Sequence, residues 1–172
     1  RSFTLSVQAT DNASTPASST ANVVINVADL TEAVNVASTA WTNAGLTVKL
    51  DPSGTLLRVV TSGTDNNAVL EQHVLAKVSS LTVSGRASAD DRLIIDFSNG
   101  SPIPSSGISY SGGTGGNDSL ELSNGVGFTN VTHNFTDANS GSVTVSTATA
   151  SSVINYSGLE PIVDNQIGRA HV

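Results

Sequence analysis

The chain has 172 residues, no cysteine, a charged share of only 12% and a formal net charge of −7. That length suits one medium domain, or a domain beside part of another, and the lack of cysteine excludes a disulfide framework and any thiolate metal site. With only two lysines, Lys49 and Lys77, no basic surface is available to displace counterions, so nucleic acid is excluded as a partner. An anionic membrane surface is disfavoured for the same reason. No apolar run approaches the ~20 residues that span a bilayer, so no transmembrane segment is expected.

Val, Leu and Ile fall in short alternating runs between Gly, Ser and Asn, which reads as many short strands and not as disorder. Residues 3–10 alternate strictly, with Phe3, Leu5, Val7 and Ala9 on one face of a predicted strand. A polar loop with Pro16 leads to a second strand at 22–27, and Asp29-Leu30-Thr31-Glu32 ends the segment. Residues 34–45, around the only tryptophan, Trp41, are poorly periodic, and a lone Trp here is more often a core plug or domain-junction contact than a sugar platform. Strands resume at 46–50 and 55–61 about the turn Asp51-Pro52-Ser53-Gly54, where Pro fixes φ and Gly accepts positive φ. Residues 69–78 fit either a short helix, with Val69, Leu70, His73, Val74 and Lys77 on one face, or a strand.

A repeat follows. Residues 81–95 and 108–122 share one plan: a short alternating strand, a Ser-Gly turn, a polar loop closed by an acidic or amide pair, and a second strand. Ser84-Gly85 falls on Ser111-Gly112, and Asp90-Asp91 on Asn117-Asp118. The offset of about 27 residues lies in the range of stacked repeat architectures. Beyond Leu122 the period is lost, with strands expected at 128–133, 142–147 and 152–156.

Three stretches carry resemblances. F-T-L-S-V-Q-A-T-D-N, the loop with Pro16, and V-V-I-N-V-A-D-L-T-E-A resemble the last two strands of a bacterial cadherin-like repeat. This resemblance implies interdomain calcium ligands at Asp11 and Asp29, with Glu32 as a further oxygen donor; Thr31 and Ala33 depart from the family's Asx-rich linker. G-G-T-G-G-N-D-S-L at 112–120 resembles the calcium-binding nonapeptide of RTX proteins, with an extra glycine before Asn117-Asp118. It implies that Asp90, Asp91, Asn117 and Asp118 share calcium if the two copies stack. N-Y-S-G-L-E-P-I near the end resembles repeated units of giant bacterial surface proteins.

Catalytic signatures are thin. Asp90, Asp91, Asp96 and Glu121 are carboxylates of the kind a glycosidase pairs. Arg86 and Arg92 are the only nearby bases for a β-helix lyase, and His73 and His133 stand alone. No HExxH, P-loop or G-x-S-x-G motif is present. The sequons at Asn12, Asn99, Asn130 and Asn134 mark surface loops where the source glycosylates.

The expectation is an all-β chain in three parts. Residues 1–32 end a cadherin-like sandwich, and 33–166 form a β-rich repeat domain, a short β-solenoid or, alternatively, an elongated sandwich. Residues 167–172 look like a translated sequencing adapter and are set aside as a non-native tail. With no initiating Met and no signal peptide, the chain reads as a fragment, and with only two copies visible the rest of the stack is expected beyond it. The function expected is non-catalytic: a structural or adhesive segment of a large secreted or cell-surface repeat protein, stiffened by calcium. Its partners would be neighbouring domains, cell-surface proteins or polysaccharide. The alternatives are an extracellular carbohydrate-binding module, with Trp41 and Tyr110 as sugar platforms, and a polysaccharide-acting β-helix enzyme.

Overall fold

A computed structural model of the chain describes residues 2–26, 30–42, 45–62, 68–125, 127–160 and 162–164, the last three and residues 2, 3 and 26 by backbone alone. Asp29 and the tail 167–172 lie outside the described residues. The protein is all-β, and it divides into two compact units, Arg1–Leu30 and Thr31–Val172.

The first unit is an antiparallel hairpin of β1 (Ser2–Thr10) and β2 (Ser18–Asn26), in register from Ser2↔Asn26 to Thr10↔Ser18. Leu5 stands opposite Val23 and Val7 opposite Ala21, so one face is apolar, as the alternation requires. That face is open: Leu5 is 55% exposed and Val23 48%. Two strands alone are marginally stable in water.

The second unit is a stack. Its first rung is β3 (Glu32–Val36) and β4 (Gly45–Leu50), and its second is β7 (Val78–Ser84) and β8 (Arg92–Asp96). The third is β9 (Ile108–Ser111) and β10 (Ser119–Ser123), and the fourth is β13 (Ser151–Ser157) and β14 (Ile162–Asp164). The leading strands pair in parallel in the order β13-β9-β7-β3, and the following strands in the order β14-β10-β8-β4. Leu81 pairs with Ile108 and Leu93 with Leu120, so the two sequence copies stack at an offset of 27.

The stack holds more rungs than the two visible in sequence. Val34, Leu81, Ile108 and Ile154 share one row, so successive rungs stand 47, 27 and 46 residues apart. Each long interval contains an antiparallel insert. The first, β5 (Leu56–Thr61) and β6 (Val69–Val74), continues the second sheet outward from β4. The second, β11 (Asn130–Phe135) and β12 (Gly141–Ser146), continues the first sheet outward from β13.

The ambiguous stretch 69–78 is therefore strand β6 followed by a 3-10 turn at Leu75–Lys77. Its backbone groups are satisfied by pairing with β5, which outweighs the helical spacing of its side chains. The poorly periodic stretch after Ala33 begins inside a strand as well: Val34 and Val36 of β3 are buried while Asn35 is exposed. Glu32 opens that strand and so belongs to the second unit.

Inward-facing side chains of both sheets form one core, in rows such as Val36–Val83–Tyr110–Tyr156 and Leu46–Leu93–Leu120. Phe97 packs edge-on against Phe128 with ring centroids 4.8 Å apart. The Asp51 turn forms as expected: its carboxylate accepts from Leu56 N at 2.8 Å and Thr55 N at 3.1 Å, and Gly54 sits at φ +72°.

Candidate functional site

Glycines bring the turns of rungs two to four close enough to stack. Gly85 N donates to Ser111 O at 2.6 Å, and Gly112 N to Ser157 O at 2.9 Å. A Cβ on Gly85 would lie 2.0 Å from Gly112 O, and one on Gly112 would lie 2.2 Å from Gly158 O, so no larger residue fits this column. The third member, Gly158, belongs to Ile154-Asn155-Tyr156-Ser157-Gly158, which matches Ile108-Ser109-Tyr110-Ser111-Gly112 at four of five positions. That shared I-x-Y-S-G was the signal in sequence for a third copy.

The close approach joins the acidic pairs into a ladder. Asp91 N donates to Asp118 Oδ1 at 2.8 Å, and Asn117 N to Asp90 Oδ1 at 2.8 Å. Ser119 N donates to Asp91 O at 2.8 Å, and Glu160 N to Asp118 O at 2.7 Å. Asp91 is buried, and both its oxygens are bonded by one residue. Its Oδ1 accepts from Arg86 Nε at 2.9 Å and Nη2 at 2.6 Å, and its Oδ2 accepts from Arg86 N at 2.5 Å. Arg86 also donates from Nη1 to Thr42 O at 2.8 Å and lies 4.9 Å above the Trp41 ring.

Asp118 is buried, no ion pair to it is present among the described residues, and its pKa is raised, first by burial and then by the negative charges of Asp91, Glu160 and Asp90. Tyr110 points its hydroxyl into the same interior with no hydrogen-bond partner, and burial beside Asp118 and Asp91 pushes its pKa up.

The residues expected to bind calcium thus fall into separate places. Asp90, Asp91, Asn117 and Asp118 come together, but as a ladder: the three carboxylates accept from the protein's own donors, one of which is Asn117 N. Asp11 closes its own loop, accepting from Ala13 N at 3.3 Å and Ala17 N at 3.0 Å. Glu32 Oε1 lies 2.6 Å from His73 Nδ1, while His73 Nε2 lies 2.9 Å from Glu71 Oε2. Burial lowers the His73 pKa, and the hydrogen bonds from Glu71 and Glu32 outweigh that and leave it raised. Among the described residues no group of three or more His, Asp or Glu is placed to hold a metal ion.

The remaining carboxylates are engaged too. Glu121 pairs with Arg92 on the second sheet, and Asp96 accepts from Asn124 Nδ2 at 2.9 Å. Trp41 is 4% exposed and Tyr110 2%, so Trp41 is the core residue that the sequence favoured and neither ring is open as a sugar platform. Of the sequons, Asn12 is exposed, Asn99 Nδ2 donates to Leu50 O at 3.1 Å, and Asn130 and Asn134 stand on β11.

One further feature was not read from the sequence. The outer face of the first sheet, from β11 to β3, is made of Ser, Thr and Asn, with Ala33 and Val153 the only departures among its described residues. One unbroken row crosses all six strands: Asn134, Ser142, Asn155, Ser109, Thr82 and Asn35. A shallow depression of about 280 Å³ crosses β13, β9 and β7 on this sheet, lined by Asn155, Ser109, Thr82, Ser157 and Ser111 together with Val83, Tyr110 and Tyr156, which alternate with them along the strands. The outer face of the second sheet differs, carrying Lys49, Arg58, Arg92, Asp96 and Glu121.

Fold and site define an all-β protein with a parallel, glycine-packed stack of four rungs and a charge-free polar face. The chain matches no protein-family model, no curated protein and no solved structure. Among the described residues no helix is long and apolar enough to cross a membrane.

Proposed function

We propose that this chain is a non-catalytic scaffold segment of a large secreted or cell-surface repeat protein, with the stacked unit as a stiff spacer. The observation that carries the reading is the ladder: of the carboxylates an enzyme would use, Asp91 is bonded by Arg86 of its own rung, Asp118 by a backbone donor and Glu121 by an arginine of the neighbouring rung. A catalytic acid needs an open approach to substrate, and Asp91 is 1% exposed and Asp118 2%. The reading rests on hydrogen-bonded stacking and not on an ion. The open apolar face of the hairpin supports a place within a larger sandwich, consistent with a multidomain chain.

The test is prolonged incubation with neutral and acidic polysaccharides, followed by assays for new reducing ends and unsaturated products. No product is expected. Product release that Asp91→Asn or Asp118→Asn abolishes would overturn the scaffold reading in favour of a hydrolase or lyase.

A further inference from the structure

We infer that the outer face of the first sheet is a docking surface for an uncharged, extended polysaccharide, lying across the strands along the stack. This goes beyond the scaffold reading, since it concerns what the scaffold's surface holds.

The chemistry of the face narrows the partner. Seven Lys or Arg and fourteen Asp or Glu occur in the chain, yet none stands on the described outer positions of this sheet. A charged partner would lose its hydration there with no opposite charge to replace it. An apolar partner would bury hydroxyls and amides without hydrogen bonds, at about 1–3 kcal/mol for each unsatisfied group. Ser and Thr hydroxyls and Asn amides each both donate and accept, so they suit a neutral partner that is itself dense in hydroxyls.

Geometry narrows it further. Strand pairing places Asn155, Ser109 and Thr82 at steps of about 4.8 Å, perpendicular to the strands. Ser157, Ser111 and Ser84 form a second row, two residues further along each strand, or about 7 Å away. The depression crosses the same three strands and so lies under both rows. An extended β-linked glycan advances by nearly one strand spacing per sugar, which offers each ring one donor–acceptor position on either side. A narrow chain can lie in this shallow depression and reach both rows.

The experiment is depletion of the full chain from solution by insoluble neutral polymers, cellulose and chitin, against soluble acidic pectate as competitor. The variants are Ser109→Glu/Asn155→Glu on the face, the milder Ser109→Ala/Asn155→Ala, and Thr47→Glu on the opposite sheet, each checked by far-UV circular dichroism. Expected is retention on at least one neutral polymer, unaffected by pectate or Thr47→Glu. The Glu pair should weaken it by about tenfold or more, equivalent to about 1.4 kcal/mol, and the Ala pair less. If the Glu pair does not fold, weakened binding by the Ala pair alone carries the result.

Four outcomes would overturn the inference. These are no retention on either polymer, retention unchanged in both face variants, inhibition of ice recrystallisation without polymer binding, and dimerisation through the face in sedimentation. The scaffold reading is judged by product release and this one by retention, so the two fail separately.

Discussion

The Arg86–Asp91 pair gives the sharpest test of the ladder. Asp91's side chain is fully buried, and Arg86 supplies three donors to it, whereas the Arg86 side chain is 25% exposed. Arg86→Ala therefore strands a carboxylate inside with one backbone donor left, and removing one partner of a buried pair costs about 3–5 kcal/mol. Loss of the contact over Trp41 adds about 0.5–2 kcal/mol. Asp91→Asn strands only a guanidinium that can turn to water, at about 1–3 kcal/mol. The arginine variant should thus be the worse of the two, and the double variant should cost less than their sum. Urea unfolding at neutral pH, followed by circular dichroism and by the fluorescence of buried Trp41, reads this out. With a slope of about 1–3 kcal/mol per molar, Arg86→Ala should lower the midpoint by at least ~1 M. A loss below about 1 kcal/mol, or a worse result for Asp91→Asn, would refute the assignment of Arg86 as the neutralising partner.

Asp118 should behave in the opposite sense. Its pKa is raised, so the wild-type protein gains stability as pH falls through that folded value and lacks it at neutral pH. Asp118→Asn keeps an acceptor for Asp91 N and removes a buried like charge; it should be neutral or stabilising at neutral pH, with the difference closing in acid. A clear destabilisation in urea at neutral pH would show that the charge itself is needed, as calcium binding would require. His73, held between Glu32 and Glu71, has a raised pKa, so its contribution is fully present below about pH 6.5 and is lost as pH rises through the folded value. His73→Gln should flatten the fall in stability on the alkaline side, and an unchanged pH profile would remove the pair from the account.

Much of the fold was legible because strand alternation is local. The hairpin, the Asp51 turn and the 27-residue copy all follow from periodicity and turn residues within short windows. The first rung was not legible and the fourth was marked only by the short I-x-Y-S-G match, because β5–β6 and β11–β12 stretch their intervals to 47 and 46 residues and break the visible period. The acidic pairs were found, but their role was not. Nothing in the spacing of Asp90-Asp91 says that Arg86, five residues before Asp91, folds back onto it. The burial of Trp41 and Tyr110 depends on partners far along the chain, and the charge-free face emerges only once six strands are set side by side.

The two inserts also set what flanks the four described rungs. A parallel sheet exposes unpaired backbone groups at both end strands, which is a template for unwanted pairing. Here β5 and β6 cover β4 at the first end of one sheet, and β12 and β11 cover β13 at the last end of the other. Among the described strands, one sheet therefore runs from the rung strand β14 to the insert strand β6, and the other from the insert strand β11 to the rung strand β3. The inserts thus shift one edge of each sheet outward to an antiparallel strand, β6 or β11, and leave a parallel rung strand at the other. The second insert also makes the charge-free face wider than the four rungs alone, because β12 and β11 extend the row from Asn155 to Ser142 and Asn134. The same insert that hid the repeat in the sequence thus enlarges the surface on which the inferred partner would lie.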